Sequence, residues 1–267
     1  MVAQSIGWKA HRALARSGGV ARVIARTTRS AWLVADGDVL WLGAAEILHP
    51  RAIGAAADVG APTVRIDITG AQPWRPTTAA ADEETVGTAI AGARHRRRTL
   101  DAVGAPDGLA RLLYDGWRGI RSDVLTLAAG PVAALAAASD TDRPADAVPP
   151  AVALLGLGEG LTPSGDDFVG ALFFARHWLG TAGVADARGW RAAAEVLRSA
   201  ARDRTHPISA ALLGDLLDGE TYAPVHELVA ALAGGADDRA AARRLTGLGH
   251  SSGWDMLAGL LVGLAPR

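Results

Sequence analysis

Gly156-Leu157-Gly158-Glu159-Gly160-Leu161-Thr162-Pro163-Ser164-Gly165-Asp166-Asp167 runs straight into the apolar stretch Phe168 to Leu172. The pattern returns as Gly247-Leu248-Gly249-His250-Ser251-Ser252-Gly253-Trp254-Asp255, ahead of Met256 to Leu264. Each stretch reads Gly-Leu-Gly, then Ser-Gly-x-Asp, then the opening of a buried helix. Glycine lets a chain turn tightly and approach a ligand closely, and a helix N-terminus presents free N–H groups. Two such loops, both with hydroxyls and carboxylates, predict helices packed in the second half and a ligand site at their heads.

Working outward from these loops, the second half is mainly α-helical. Helices are expected from Glu83 to about Val103, Asp107 to about Tyr114 and Ser122 to about Ala138, with Asp82 and Asp107 as N-caps. Ser139 to Pro150, holding three prolines and three aspartates, reads as a surface loop or linker. A helix then follows the first loop through Leu179. Others cover Trp190 to Arg202, the stretch after Pro207, and Trp254 to Leu264. The basic run Arg94 to Arg98 reads as a solvated helix face, and His177 and Trp178 as core or boundary residues.

The first 75 residues have a different texture. Val20 to Arg26, Ala31 to Val34 and Val39 to Leu42 are short β-branched or aromatic runs, and Asp36-Gly37-Asp38 between the last two signals a hairpin. Val64 to Ile68 alternates apolar and polar residues, and Gly70 ends it. Gln72-Pro73-Trp74-Arg75-Pro76 is a break. The fold class expected is α+β. Residues 1–75 form a small antiparallel β unit, a sandwich or barrel, and residues 76–267 form a mainly helical domain carrying both loops.

Bulk chemistry narrows the function. The chain has 267 residues, 49% hydrophobic and 21% charged, with a formal net charge of -1. This is a globular composition with no concentrated basic face for nucleic acid or a membrane surface. No cysteine occurs, which removes thiolate chemistry, and Lys9 is the only lysine, so a Schiff base has one candidate. No signal peptide or spanning segment is legible, and a cytoplasmic location is expected.

At the first loop, Pro163 suits a first helical position and Thr162 an N-cap. Ser164, Asp166 and Asp167 then fall in the opening turn, where the helix dipole favours ionised carboxylates. Gly158, Gly160 and Gly165 leave room for a ligand. Capping boxes over Ser164 to Asp167 and Ser252 to Asp255 would account for one serine and one aspartate in each loop. They leave Asp166 beside Asp167 unexplained. Asp166, Asp167 and His250 are the catalytic candidates. Thr162, Ser164, Ser251, Ser252, Gly253 and Asp255 are candidate ligand contacts, as are Thr205 and Ser209 on a third helix entry. Backbone N–H groups suit an anion, whereas paired aspartates suit an NH₂ group or Mg²⁺ held by Asp166 and Asp167. A small metabolite with an anionic end and an NH₂ end meets both demands, as does a metal-bridged phosphate.

The first loop, Thr205 with Ser209, and Gly249-His250-Ser251-Ser252-Gly253-Trp254-Asp255-Met256-Leu257-x-Gly259 together resemble the AllH-like family. Ile68-Thr69-Gly70 and Trp74 also fit, so the resemblance extends over most of the chain, more weakly in the N-terminal part. It implies a subunit of oxamate carbamoyltransferase working beside two other subunits in allantoin breakdown. The small anionic ligand implied is carbamoyl phosphate or an oxamate-like acid. A non-catalytic assembly subunit and an independent metal-dependent hydrolase are the competing expectations.

Overall fold

The computed structural model describes residues 1–28, 30–55, 60–114 and 122–265. The chain divides into two compact units, Met1–Thr77 with Thr221–Ala223, and Thr78–Glu220 with Pro224–Arg267.

The first unit is built on one seven-stranded sheet. Its strands are β1 (Ser5–Gly7), β2 (Val20–Arg26), β3 (Ala31–Ala35), β4 (Asp38–Gly43), β5 (Ala52–Gly54), β6 (Thr63–Arg65) and β7 (Pro73–Trp74), in the order β6-β2-β3-β4-β5-β1-β7. The hairpin at Asp36-Gly37 forms as its sequence demands. Both residues take positive φ, 49° and 79°, as a type I′ turn requires, and this sets Ala35 opposite Asp38 and Val34 opposite Val39. The sheet is mixed, since β4 runs parallel to β5 and β1 parallel to β7. The parallel β1–β7 pair arises because the N-terminal strand inserts between β5 and β7, a long-range pairing with no local signal.

Helix α1 (Trp8–Arg16) is an element that the strand pattern does not announce. Its inward face is Ala10, Ala13 and Leu14, spaced i, i+3, i+4, and it joins Leu33, Leu40, Leu42 and Ile53 in one core. Two alanines and a leucine are too small a stripe to stand out in an alanine-rich chain.

The second unit is helical: α2 (Glu83–Arg98), 3-10 turns at Leu100–Ala102 and Gly108–Leu113, α3 (Asp123–Asp140), α4 (Pro144–Leu154), α5 (Ser164–Thr181), α6 (Ala187–Arg204), α7 (Pro207–Leu217), α8 (Ala223–Ala233), α9 (Arg239–Thr246) and α10 (Ser252–Leu264). Asp82 caps α2 in a reciprocal box with Thr85. The expected linker at Ser139 to Pro150 is mostly helix α4 instead. Pro144 sits in its first turn, where no N–H is needed. Burial of Ala147, Ala151 and Leu154, with α4 packed on α3 and α6, outweighs the interior prolines Pro149 and Pro150. Helix α3 is long and apolar enough by composition to cross a membrane. Leu125, Ala128, Val132 and Leu135 are nevertheless buried, and the helix packs on α4.

Helix α5 is apolar on every side and lies at the centre, against α6, α7 and α10. A helix of that kind must be buried all round. Its pairing with α10 is close and parallel. A Cβ on Gly259 would stand 2.0 Å from the Phe168 carbonyl oxygen, and one on Gly263 would stand 2.6 Å from that of Leu172. Only glycine at these two positions, one turn apart, lets the backbones approach so closely. Parallel packing places both helix N-termini at the same end.

Candidate functional site

The two loops are built alike. In each, the Leu of the Gly-Leu-Gly motif closes a turn on the helix before it: Leu157 N–H donates to Leu154 O at 3.0 Å, and Leu248 N–H to Leu245 O at 3.0 Å. The glycine after the serine then donates back to that leucine, Gly165 to Leu157 O at 2.9 Å and Gly253 to Leu248 O at 3.0 Å. A side chain on either glycine would lie 2.0 Å from a carbonyl, that of Leu154 or of Leu245. The first loop is simply longer, Gly158 to Ser164 against Gly249 to Ser252. The chain therefore folds one helix–loop–helix device twice, α4 into α5 and α9 into α10.

The loops meet. Thr162 Oγ1 lies 3.1 Å from Ser252 Oγ, and Ser164 Oγ lies 3.4 Å from Ser251 Oγ. Neither helix has the expected capping box. Helix α5 starts at Ser164 with Pro163 as its cap residue, one position later than the Thr162–Pro163 reading, and Ser251 precedes α10 without a side-chain cap. The four half-buried hydroxyls reach across to the opposite loop, and Ser251 also bonds Asp255 of its own helix. Among the described residues, the N–H groups of Ser164 and Ser252 have no protein acceptor. A Cβ on Gly158 would stand 2.7 Å from the Ser164 nitrogen, so this glycine, at φ 121°, keeps space open beside the first amide. Gly160 takes φ 88° with nothing near it.

The three aspartates divide into two roles. Asp166, 1% exposed, is fully used: Oδ1 accepts from Gly156 N at 2.9 Å, and Oδ2 accepts from Thr205 Oγ1 and from Ser209 Oγ at 2.7 Å. It ties the head of α5 to the start of α7. Its burial raises its carboxyl above the usual range against the pull of those three bonds. Asp167 and Asp255 form the other group. Each is buried, and each has an Oδ2 without a hydrogen-bond partner. Desolvation, then the neighbouring Asp255 charge, pushes the Asp167 carboxyl well above the usual range, and Ser252 eases it only in part. Burial raises Asp255 to about 6, partly offset by the Leu109 amide and by Ser164 and Ser251. Ser252 thus serves the carboxylate of α5 and Ser164 that of α10, while Ser251 serves Asp255 on its own helix.

A partner of the site that the motif does not contain is the 3-10 turn at Gly108. Leu109 N–H donates to Asp255 Oδ1 at 2.6 Å. Gly108 has φ 51°, and a Cβ there would stand 2.2 Å from the same oxygen. Asp107-Gly108 carries the local signal of a turn, but nothing in it points to a carboxylate 146 residues away. The Asp255 carboxyl therefore faces the head of a third helical turn.

His250 is exposed and immediately precedes Ser251. The Asp166–Asp167 pair does not fit Mg²⁺, because both Asp166 oxygens are already taken by N–H and O–H donors. Among the described residues no group of three or more His, Asp or Glu gathers as a metal site.

Residues 154–264 match the family described as oxamate carbamoyltransferase subunit AllH. Over that span the chain is similar to the AllH-like family. The matched span opens at Leu154, whose carbonyl closes the first loop, and closes at Leu264, the end of α10. The duplicated loop–helix device and the elements between lie within it, while the whole seven-stranded sheet lies outside. No curated protein and no solved structure matches the chain.

Proposed function

We propose that this AllH-like chain is a subunit of an oxamate carbamoyltransferase-like complex. Its paired loops bind a small metabolite with a carbamoyl or amide NH₂ at one end and an anion at the other, carbamoyl phosphate or an oxamate-like acid. The observation that carries this reading is the pairing of two kinds of unfilled valence in one place. The orphaned Oδ2 atoms of Asp167 and Asp255 accept from an NH₂ group. The Ser164 and Ser252 amides, at two helix heads, donate to the anionic end. The four hydroxyls fill either role.

In carbamoyl transfer an amine nitrogen attacks the carbamoyl carbon and a C–N bond forms. The C–O bond to phosphate breaks, and the nitrogen gives up a proton. Helix-head amides stabilise the oxyanion that develops on the carbonyl. A carboxylate held near pH 6, as Asp255 is, is a competent acceptor for that proton. Asp166 is a positioning residue in this reading, since it touches Thr205 and Ser209 rather than ligand, and His250 is an exposed proton relay.

The test is calorimetric titration of the full chain with carbamoyl phosphate, oxamate and inorganic phosphate, repeated on Asp167→Asn and Ser164→Ala/Ser252→Ala. Loss of one charge-assisted contact weakens binding roughly tenfold. If the folded variants bind as the parent does, or no ligand binds the parent, the hydroxyls and carboxylates only lock α5 to α10 and the chain is an assembly subunit.

A further inference from the structure

A second recess lies in the helical unit, far along α5 from the loops. Thirteen residues separate Ser164 from His177, about 20 Å at 1.5 Å per residue. The recess has a volume of about 100 Å³ and is lined by Phe173, His177, Thr181, Trp190, Arg191 and Leu217, among others. One wall is rigid. Trp190 donates from Nε1 to Asp142 Oδ1 at 2.7 Å, carries the Arg176 guanidinium on its ring at 5.0 Å, and meets Phe173 edge-on at 5.1 Å. The His177 ring is also held. Gly219, at φ 78°, passes so close that a Cβ would stand 2.6 Å from Cδ2 and 2.8 Å from Nε2.

The charges around this recess do not cancel. Asp218 adjoins His177, but it already accepts from Arg198 Nη2 at 2.7 Å. Arg191 has no carboxylate partner among the described residues. The Thr181 hydroxyl spends its proton on Trp178 O at 2.7 Å, which leaves Arg191 and His177 as the donors. We infer that this recess is a binding site for a short-chain carboxylate. The carboxylate sits between Arg191 and the His177 ring, and its apolar end lies against Phe173, Trp190 and Leu217. The apolar walls favour a carboxylate with a hydrocarbon tail over inorganic phosphate, and 100 Å³ suits only a few heavy atoms.

His177 makes the site sensitive to pH. Burial, and then the Arg191 charge, hold its imidazole below the ordinary range, with Asp218 opposing. A bound carboxylate favours the imidazolium, so binding takes up a proton and tightens as pH falls. The proposal does not depend on the loops being a substrate site.

The experiment is titration of the full chain with acetate, butyrate and phosphate at pH 7.5 and pH 6, with His177 and Trp190 ring resonances followed by NMR. Butyrate should bind more tightly than acetate or phosphate, shift both rings, raise the His177 titration midpoint, and bind more tightly at the lower pH. Arg191→Ala, at an exposed helix position, should weaken it roughly tenfold, as loss of one charge-assisted contact does, without altering carbamoyl phosphate binding. Equal affinity for phosphate and butyrate overturns the assignment, as does unchanged butyrate affinity in folded R191A.

Discussion

Gly259→Ala should damage both the stability of the helical unit and the geometry of the loops. The added Cβ would stand 2.0 Å from the Phe168 carbonyl oxygen and 3.1 Å from the Leu172 nitrogen. Both are backbone atoms, so no side chain can swing aside. Real Cβ atoms essentially never come within 3.0 Å, and α10 must retreat from α5 by at least about 1 Å. Overpacking of this kind costs about 1–3 kcal/mol, set against a gain of up to about 1 kcal/mol from replacing a helical glycine. The same retreat stretches the Thr162–Ser252 and Ser164–Ser251 contacts, now 3.1 and 3.4 Å, beyond hydrogen-bonding range at a further cost of about 1 kcal/mol. The net expectation is a loss of about 2 kcal/mol. Gly87→Ala is the control, because Gly87 lies in α2 with nothing within 4 Å of its Cβ position, and it should gain about 0.5–1 kcal/mol. Urea titration followed by circular dichroism measures both, and with a slope of about 2 kcal/mol/M G259A should melt about 1 M earlier. If its midpoint instead rises alongside that of G87A, the close parallel packing of α5 and α10 is wrong, and with it the convergence of the two loops.

Two other perturbations probe the aspartates. Asp166→Ala strands the Gly156 amide and the Thr205 and Ser209 hydroxyls and should cost about 3 kcal/mol, whereas Asp166→Asn should lose only about 1 kcal/mol. Its amide oxygen still accepts from Gly156, and the hydroxyls can turn to accept from its NH₂. Thermal melts that fall equally for both variants would mean that the charge itself is needed. Stability against pH should expose two opposed groups. Asp255, raised to about 6 from 3.8, contributes about 3 kcal/mol below pH 4 that is lost as pH rises through 6. His226, pushed by burial down to about 4 from 6.5, contributes about 3 kcal/mol above pH 6.5 that is lost as pH falls toward 4. The two offset each other between pH 4 and 6. Asp255→Asn removes the first and should make the chain more acid-sensitive across that interval; urea midpoints parallel to the parent from pH 7 to 4.5 would refute the buried carboxyl.

Sequence by itself settled what is local. The two Gly-Leu-Gly motifs, the helices after them, the Asp36-Gly37 turn and the α+β texture all follow from backbone constraints of neighbouring residues, which any fold must honour. Composition alone removed thiolate chemistry. Helix α4 was hidden, because prolines and aspartates near one another imitate a linker until Ala147, Ala151 and Leu154 find α3 and α6 to bury against. The mixed character of the sheet was hidden as well, since β1 joins β5 and β7 across some fifty to seventy residues of chain. Tertiary structure alone decided which aspartate does what. Asp166 and Asp167 are adjacent in the motif and equal on paper. On a helix, successive side chains point about 100° apart, so Asp166 meets the donors of α7 while Asp167 turns toward Asp255. That rotation, and the contact of α10 with the 3-10 turn that brings Leu109 and Asp255 together, belong to the packing and not to either loop.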